Sequence, residues 1–228
     1  GDRGDEESYS GDSDAAPGGV PPVTPGAWAV LGSSTAAGAG APVGQGWVAL
    51  LQAGVADAGV SIHNLALGGY TTYHALPAGA RPITGRPGPA AGHNLDRALA
   101  LGARALLVAF PSNDSALGYN ATETVANLLA IRAHAQQHGL AVLVLSTQPR
   151  ALAAALRARL VEIDARLAPV LGACFVAVHA ALAAADGRLA PHYDAGDGVH
   201  PNAAGHALIA TLVRGAIDGG ACLRLSAP

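Results

Sequence analysis

Short apolar runs alternate with longer amphipathic stretches along this chain, and from about residue 27 the alternation predicts a βαβ series. Runs at 28–31, 60–65, 105–110, 141–145 and 174–178 predict five strands. Between them the spacing predicts helices over 47–58, 94–101 and 122–138, and a last helix over 203–217. Leu152, Leu156, Leu160, Ile163 and Leu167 recur every three or four residues and mark a further amphipathic helix. Strands that are apolar on both faces and separated by helices need cover on both sides. The expected class is therefore α/β, a three-layer α/β/α sandwich around a central, mostly parallel five-stranded sheet.

Composition sets the limits of this domain. With 228 residues, half of them hydrophobic, the chain can bury one substantial core. Residues 1–26 are rich in Gly, Asp, Ser, Glu and Pro without an apolar period, which predicts a disordered acidic tail before a domain over 27–220 and a C-terminal tail over 221–228. A polar leader of this kind is common in exported hydrolases after signal removal, so export to the periplasm or beyond is the expected location. The apolar runs fall far short of the roughly 20 residues that cross a bilayer, so no membrane span is expected.

Charge adds little. The first fourteen residues hold six acids against Arg3, which leaves a net +2 on the rest of a chain whose total is −3. No basic patch points to nucleic acid. Every one of the thirteen cationic residues is Arg, a bias from which no function follows. Cys174 and Cys222 are equally compatible with a disulfide and with two buried thiols.

Four polar blocks interrupt the pattern where strands end: Gly32-Ser33-Ser34-Thr35, Asn64 to Gly68-Gly69, Pro111-Ser112-Asn113-Asp114, and Asp197-Gly198-Val199-His200-Pro201-Asn202. In parallel sheets the ligand site lies beyond the carboxyl ends of the strands, where the first three blocks fall. A serine hydroxyl becomes a useful nucleophile when an imidazole accepts its proton and an acid fixes the imidazole's tautomer. Ser34, His200 and Asp197 are the candidates, and an acid three positions before the base lets one loop supply both. Taken singly, the blocks read as ordinary caps and Asx turns; their joint placement favours chemistry.

The four blocks together resemble the SGNH/GDSL hydrolase family over about residues 27–217. The resemblance implies the flavodoxin-like sandwich of that family, a serine ester hydrolase without cofactor or metal, and Ser34 as the nucleophile. It also implies an oxyanion hole made by the Ser34 and Gly69 backbone N–H groups and the Asn113 side-chain amide. Ser33 stands where the family carries Asp, which leaves the nucleophile in place. A literal Gly11-Asp12-Ser13 is set aside because no strand precedes it and no helix follows it.

Competing and neighbouring residues complete the picture. Asp194 is the rival acid, and His192 and His206 are rival imidazoles. These with Asp197 and His200 could form a metal cluster, but the spacing fits no standard zinc signature. Tyr70 and Tyr73 follow Gly69 and are expected to line the cleft, and Arg150, after the fourth strand, is a candidate to hold a substrate group. Short connections and only 4% aromatic residues favour a small acyl group such as acetyl, on carbohydrate, over a long chain. Lipase, thioesterase and acyltransferase chemistry on the same residues, and a carbohydrate-binding pseudoenzyme, are the alternatives.

Overall fold

The computed structural model describes residues 25–110 and 112–225. Most of the predicted N-terminal tail, Gly11-Asp12-Ser13 included, the last three residues and Pro111 lie outside the described residues. The sheet contains β1 (Gly26–Gly32), β2 (Val60–Asn64), β3 (Ala105–Ala109), β4 (Ala141–Leu145) and β5 (Phe175–Val176), all parallel, in the order β2-β1-β3-β4-β5. Around it run α1 (Trp47–Val55), α2 (Thr72–Ala75), α3 (Leu95–Ala100), α4 (Ser112–Ala116), α5 (Ala121–Gln137), α6 (Ala154–Leu171), α7 (Val178–Leu182) and α8 (Ala203–Gly219).

Alternation along the buried strands produces two cores. Trp28, Val30, Leu107 and Leu143 face Trp47, Leu51 and Val55 of α1 and Ile209, Val213 and Ile217 of α8. Ala29, Leu31, Leu106 and Val144 face Leu128 and Ile131 of α5 and Leu160, Ile163 and Leu167 of α6. Successive residues thus serve opposite faces, as a pleated strand with period two requires. The three-layer α/β/α expectation holds. At the β2 edge, Gln52 of α1 donates to the Val60 carbonyl (2.9 Å) and accepts from the Ile62 N–H (2.6 Å), occupying backbone groups that would otherwise face a second chain.

The boundaries differ from expectation at both ends. Gly26 already belongs to β1, because it pairs with Val60 and its N–H reaches the Gly59 carbonyl (3.0 Å). Residues 221–225 are packed rather than a tail: Cys222 and Leu223 are buried, and Cys222 is joined to Cys174 by a disulfide. The fifth strand is only Phe175–Val176, since residues 172–174 form a 3-10 turn and Val178 begins α7.

The chain adds β2 on one side of β1 and then crosses to place β3 on the other. That reversal separates the loops leaving β1 and β3, and a crevice opens between them at their carboxyl ends. Ser34 follows β1 and Asn113 follows β3.

Candidate active site

The turn that carries Ser34 forms as β1 ends. Its backbone closes through Ala37 N–H to Ser33 C=O (3.0 Å) and Ala39 N–H to Ser34 C=O (2.9 Å), and Asn64 at the end of β2 donates to the Ala36 carbonyl (2.8 Å). Beyond Asn64 the chain keeps following β1, with Leu65 N–H on Val30 C=O and Leu67 N–H on Gly32 C=O. This continued pairing delivers Gly68 beside the serine: a Cβ added at Gly68 would lie 3.7 Å from that of Ser34. Gly69 follows at φ +82°, in the left-handed region that other residues adopt only with strain.

The structure brings Ser34, His200 and Asp197 into one hydrogen-bonded chain. Ser34 Oγ lies 2.9 Å from His200 Nε2, and His200 Nδ1 lies 2.6 Å from Asp197 Oδ2. The other Asp197 oxygen accepts from the Val199 and His200 backbone N–H groups, both at 2.8 Å. The His200 N–H foremost, with the His200 ring and the Val199 N–H, holds the Asp197 pKa down at about 2, although the side chain is half exposed. Asp197 is thus an anion at neutral pH and an acceptor only, so Nδ1 carries the ring proton and Nε2 turns a lone pair toward Ser34 Oγ.

The rival residues hold the frame. Asp194 Oδ1 accepts from Gly196 N–H (2.8 Å) and Gly198 N–H (3.0 Å), folding the loop that carries Asp197. His206 is fully buried in α8, accepting from the Trp47 N–H (3.1 Å) at Nδ1 and facing the Ala39 carbonyl (2.8 Å) at Nε2. Its burial lowers its pKa, and as the neutral Nε2–H tautomer it satisfies both partners, tying α8 to the start of α1 and to the segment after Ser34. His192 stays exposed against the Tyr193 ring. Asn202 caps α8 by accepting from the Gly205 N–H (3.0 Å) and donates to the His192 carbonyl (3.0 Å), so the helix start and the histidine loop are built together. Among the described residues, no three His, Cys, Asp or Glu side chains converge to hold a metal ion.

Adjacent residues of α4 grip the segment after Gly69. Asn113 Nδ2 donates to the Tyr70 carbonyl (2.9 Å), while Asp114 accepts from the Thr72 N–H (3.0 Å) and from the Thr72 and Thr124 hydroxyls (2.5 and 3.2 Å). Burial pushes the Asp114 pKa up to about 6 against the pull of these hydrogen bonds. Asp114 is legible as part of a motif, but its partners Thr72 and Thr124 lie 42 and 10 residues away and no local signal identifies them.

The expected substrate contacts fare unequally. Tyr73 is a correction: it is buried and packs edge-on against Tyr119 (5.6 Å), because α2 turns it into the core. Tyr70 is half buried, its ring stacked on His74 at 4.2 Å and set edge-on to His93 at 5.4 Å. Arg150 reaches Asn113 Oδ1 (2.8 Å) and Ser112 Oγ (3.3 Å) instead of pointing away from the site. Its neighbours also brace the histidine loop, through Gln148 Nε2 to Val199 C=O (2.9 Å) and Ala151 N–H to Gly198 C=O (2.8 Å). Gly40, which the sequence did not single out, lies so close to His200 and Pro201 that a Cβ there would meet the Pro201 carbonyl oxygen at 2.2 Å.

The chain is similar to known proteins over most of its length. Residues 30–208 match the model of the GDSL-like lipase/acylhydrolase family. Similar solved structures include the lipase Lip_vut3 from a goat rumen metagenome, 16% identical with a TM-score of 0.65, covering 83% of this chain and 96% of the other. The psychrotrophic esterase EstA from Pseudoalteromonas sp. is 17% identical with a TM-score of 0.57, covering 85% of this chain and 97% of the other. A mutant of Axe2, an acetyl-xylooligosaccharide esterase from Geobacillus, is 16% identical with a TM-score of 0.60, covering 84% and 94%. No curated protein sequence matches the chain.

Proposed function

This chain belongs to the GDSL-like lipase/acylhydrolase family, and from that premise we propose that it hydrolyses short acyl esters, acetyl groups on carbohydrate foremost, with Ser34 as nucleophile. The observation that carries the reading is the unbroken hydrogen-bonded chain Ser34–His200–Asp197 at the mouth of the β1/β3 crevice.

Ser34 Oγ attacks the ester carbonyl while His200 Nε2 takes its proton, and Asp197 stabilises the imidazolium and keeps the ring oriented. The oxyanion that forms meets the Ser34 and Gly69 backbone N–H groups and the second N–H of the Asn113 amide, the first being held by Tyr70. His200 returns the proton to the leaving alcohol as the tetrahedral intermediate collapses to an acyl-enzyme. Water then attacks that ester, with the same base and the same oxyanion donors, and releases the acid and free Ser34.

Support for a small acyl group on carbohydrate comes from the polar ring cluster of Tyr70, His74 and His93 next to Gly69, a surface on which a sugar can stack, and from the acetyl-xylooligosaccharide esterase among the similar structures. The wild type should cleave p-nitrophenyl acetate better than the octanoate and release acetate from acetylated xylo-oligosaccharides. Ser34→Ala should lower turnover by at least about 10⁴-fold. Preference for long chains with no acetate release would overturn the substrate class, and activity surviving in Ser34→Ala would overturn the nucleophile.

The Cys174–Cys222 disulfide supports an oxidising location outside the cytoplasm as part of the same proposal. Protein taken from its native compartment should resist thiol alkylation until reduced; free thiols there would contradict it.

A further inference from the structure

We propose that Arg150 is a positioning residue of the oxyanion hole, orienting and polarising the Asn113 amide so that its free N–H meets the developing charge. The inference rests on the ester-hydrolase reading above and concerns how that site is made active.

An Asn amide has two nearly symmetric ends, and a donor that must meet an oxyanion is useful only when the N–H end faces the site. Two contacts decide the orientation here. Arg150 can only donate, so the atom 2.8 Å from its Nη1 must be the amide oxygen. The Tyr70 carbonyl can only accept, so the atom 2.9 Å from it must be the amide nitrogen. Each contact alone excludes the flipped amide, and together they hold the plane of the group while leaving the second N–H unused by either.

Orientation is half of the effect. A cation on the amide oxygen favours the resonance form with positive charge on nitrogen, which makes the remaining N–H a stronger donor. The guanidinium is half buried and stays charged: burial lowers its pKa, and the nearby Asp197 carboxylate raises it. Position in the fold supports the assignment, because Arg150 belongs to the 148–151 segment that also holds the Gly198 and Val199 carbonyls of the histidine loop. One short segment thereby sets both the oxyanion donor and the base. A residue that merely held substrate would have no need to spend its guanidinium on Asn113 and Ser112.

The test is a double-mutant cycle on p-nitrophenyl acetate with Arg150→Met, Arg150→Lys and Asn113→Ala. Arg150→Met should lower kcat about 10- to 100-fold, somewhat less than the loss of an oxyanion donor itself, with KM changed less than about twofold. Arg150→Lys keeps a donor and a charge and should recover a large part of that loss. In an Asn113→Ala background, Arg150→Met should change kcat less than about twofold, since nothing remains for it to orient. A rise in KM with kcat intact would overturn the inference in favour of direct substrate contact. An equal loss with or without Asn113, or no recovery in Arg150→Lys, would also overturn it, pointing to a role through the histidine loop or the fold. Wild-type protein lacking Ser34-dependent turnover would remove the ester-hydrolase reading itself, an outcome distinct from normal wild-type turnover with an unaffected Arg150→Met.

Discussion

At Gly40 the backbone passes so close to the histidine loop that a single methyl group has nowhere to go. A Cβ would sit 2.2 Å from the Pro201 carbonyl oxygen and 2.8 Å from His200 Cβ, and the residue holds φ +91°. Gly40→Ala should therefore displace His200 from Ser34 and cut kcat by about 100-fold, the scale expected for an ångström of misplacement in a catalytic group. Gly44→Ala is the control: its φ of +82° imposes a similar backbone strain of about 1–2 kcal/mol, yet nothing lies within 4 Å of the added Cβ. Both variants should melt lower, Gly40→Ala by more because of the clash, and at a temperature where both are folded only Gly40→Ala should lose kcat; equal kcat in both would contradict the packing argument. Ser34, Asp197 and His200 are legible in the sequence because chemistry restricts their residue types and spacing. Gly40 is one of thirty glycines, and what distinguishes it is contact with a segment far along the chain.

The elements with strong apolar periods, β1 to β4 and α1, α5, α6 and α8, are legible because each buries a face through several turns or a full strand. The short helices α2, α4 and α7 span four or five residues, too little for a period to show, and α2 and α4 are joined to each other and to the segment after Gly69 by Asn113 and Asp114. Tyr73 illustrates the consequence: Tyr70 lies in the loop before α2, whereas Tyr73 lies inside that single turn and on its core-facing side. Asp114 joins α2, α4 and α5 through Thr72 and Thr124, and its pKa gives that junction a pH signature. A folded pKa of about 6 above the ordinary 3.8 means that the fold binds this proton more tightly than the unfolded chain does. The resulting stabilisation is complete below about pH 4 and lost as pH rises through 6, a decline of up to about 3 kcal/mol. Asp164, raised by burial to about 7, acts with the same sign. Buried His206 and His179, whose pKa values burial lowers, act with the opposite sign over part of this range, so the Asp114 contribution is read as a difference: between pH 4.5 and 7.5 the wild-type denaturation midpoint should fall relative to that of Asp114→Asn, and parallel profiles would contradict the assignment.

Across the molecule, the order β2-β1-β3-β4-β5 determines where chemistry is possible, since reversal at β1/β3 leaves one crevice into which the loops after β1, β2 and β3 project. Strand count and layer order follow from the hydrophobic pattern, whereas the pairing of Cys174 with Cys222 does not, because two cysteines 48 residues apart carry no local sign of proximity. The bond anchors the C-terminal segment over the core beside β5, and its loss should lower stability by about 2–4 kcal/mol, measured as a denaturation midpoint with and without reductant. An unchanged midpoint would contradict a structural role. The central claim is that Ser34 is the nucleophile of an ester hydrolase. Treating the protein with a p-nitrophenyl alkylphosphonate, whose phosphorus is attacked by an activated serine oxygen as p-nitrophenolate leaves, and localising the added mass by fragmentation, tests it most directly. The account predicts one equivalent on Ser34, abolished in His200→Ala; a label on Ser13 or another serine, or none on Ser34 in active protein, would contradict it.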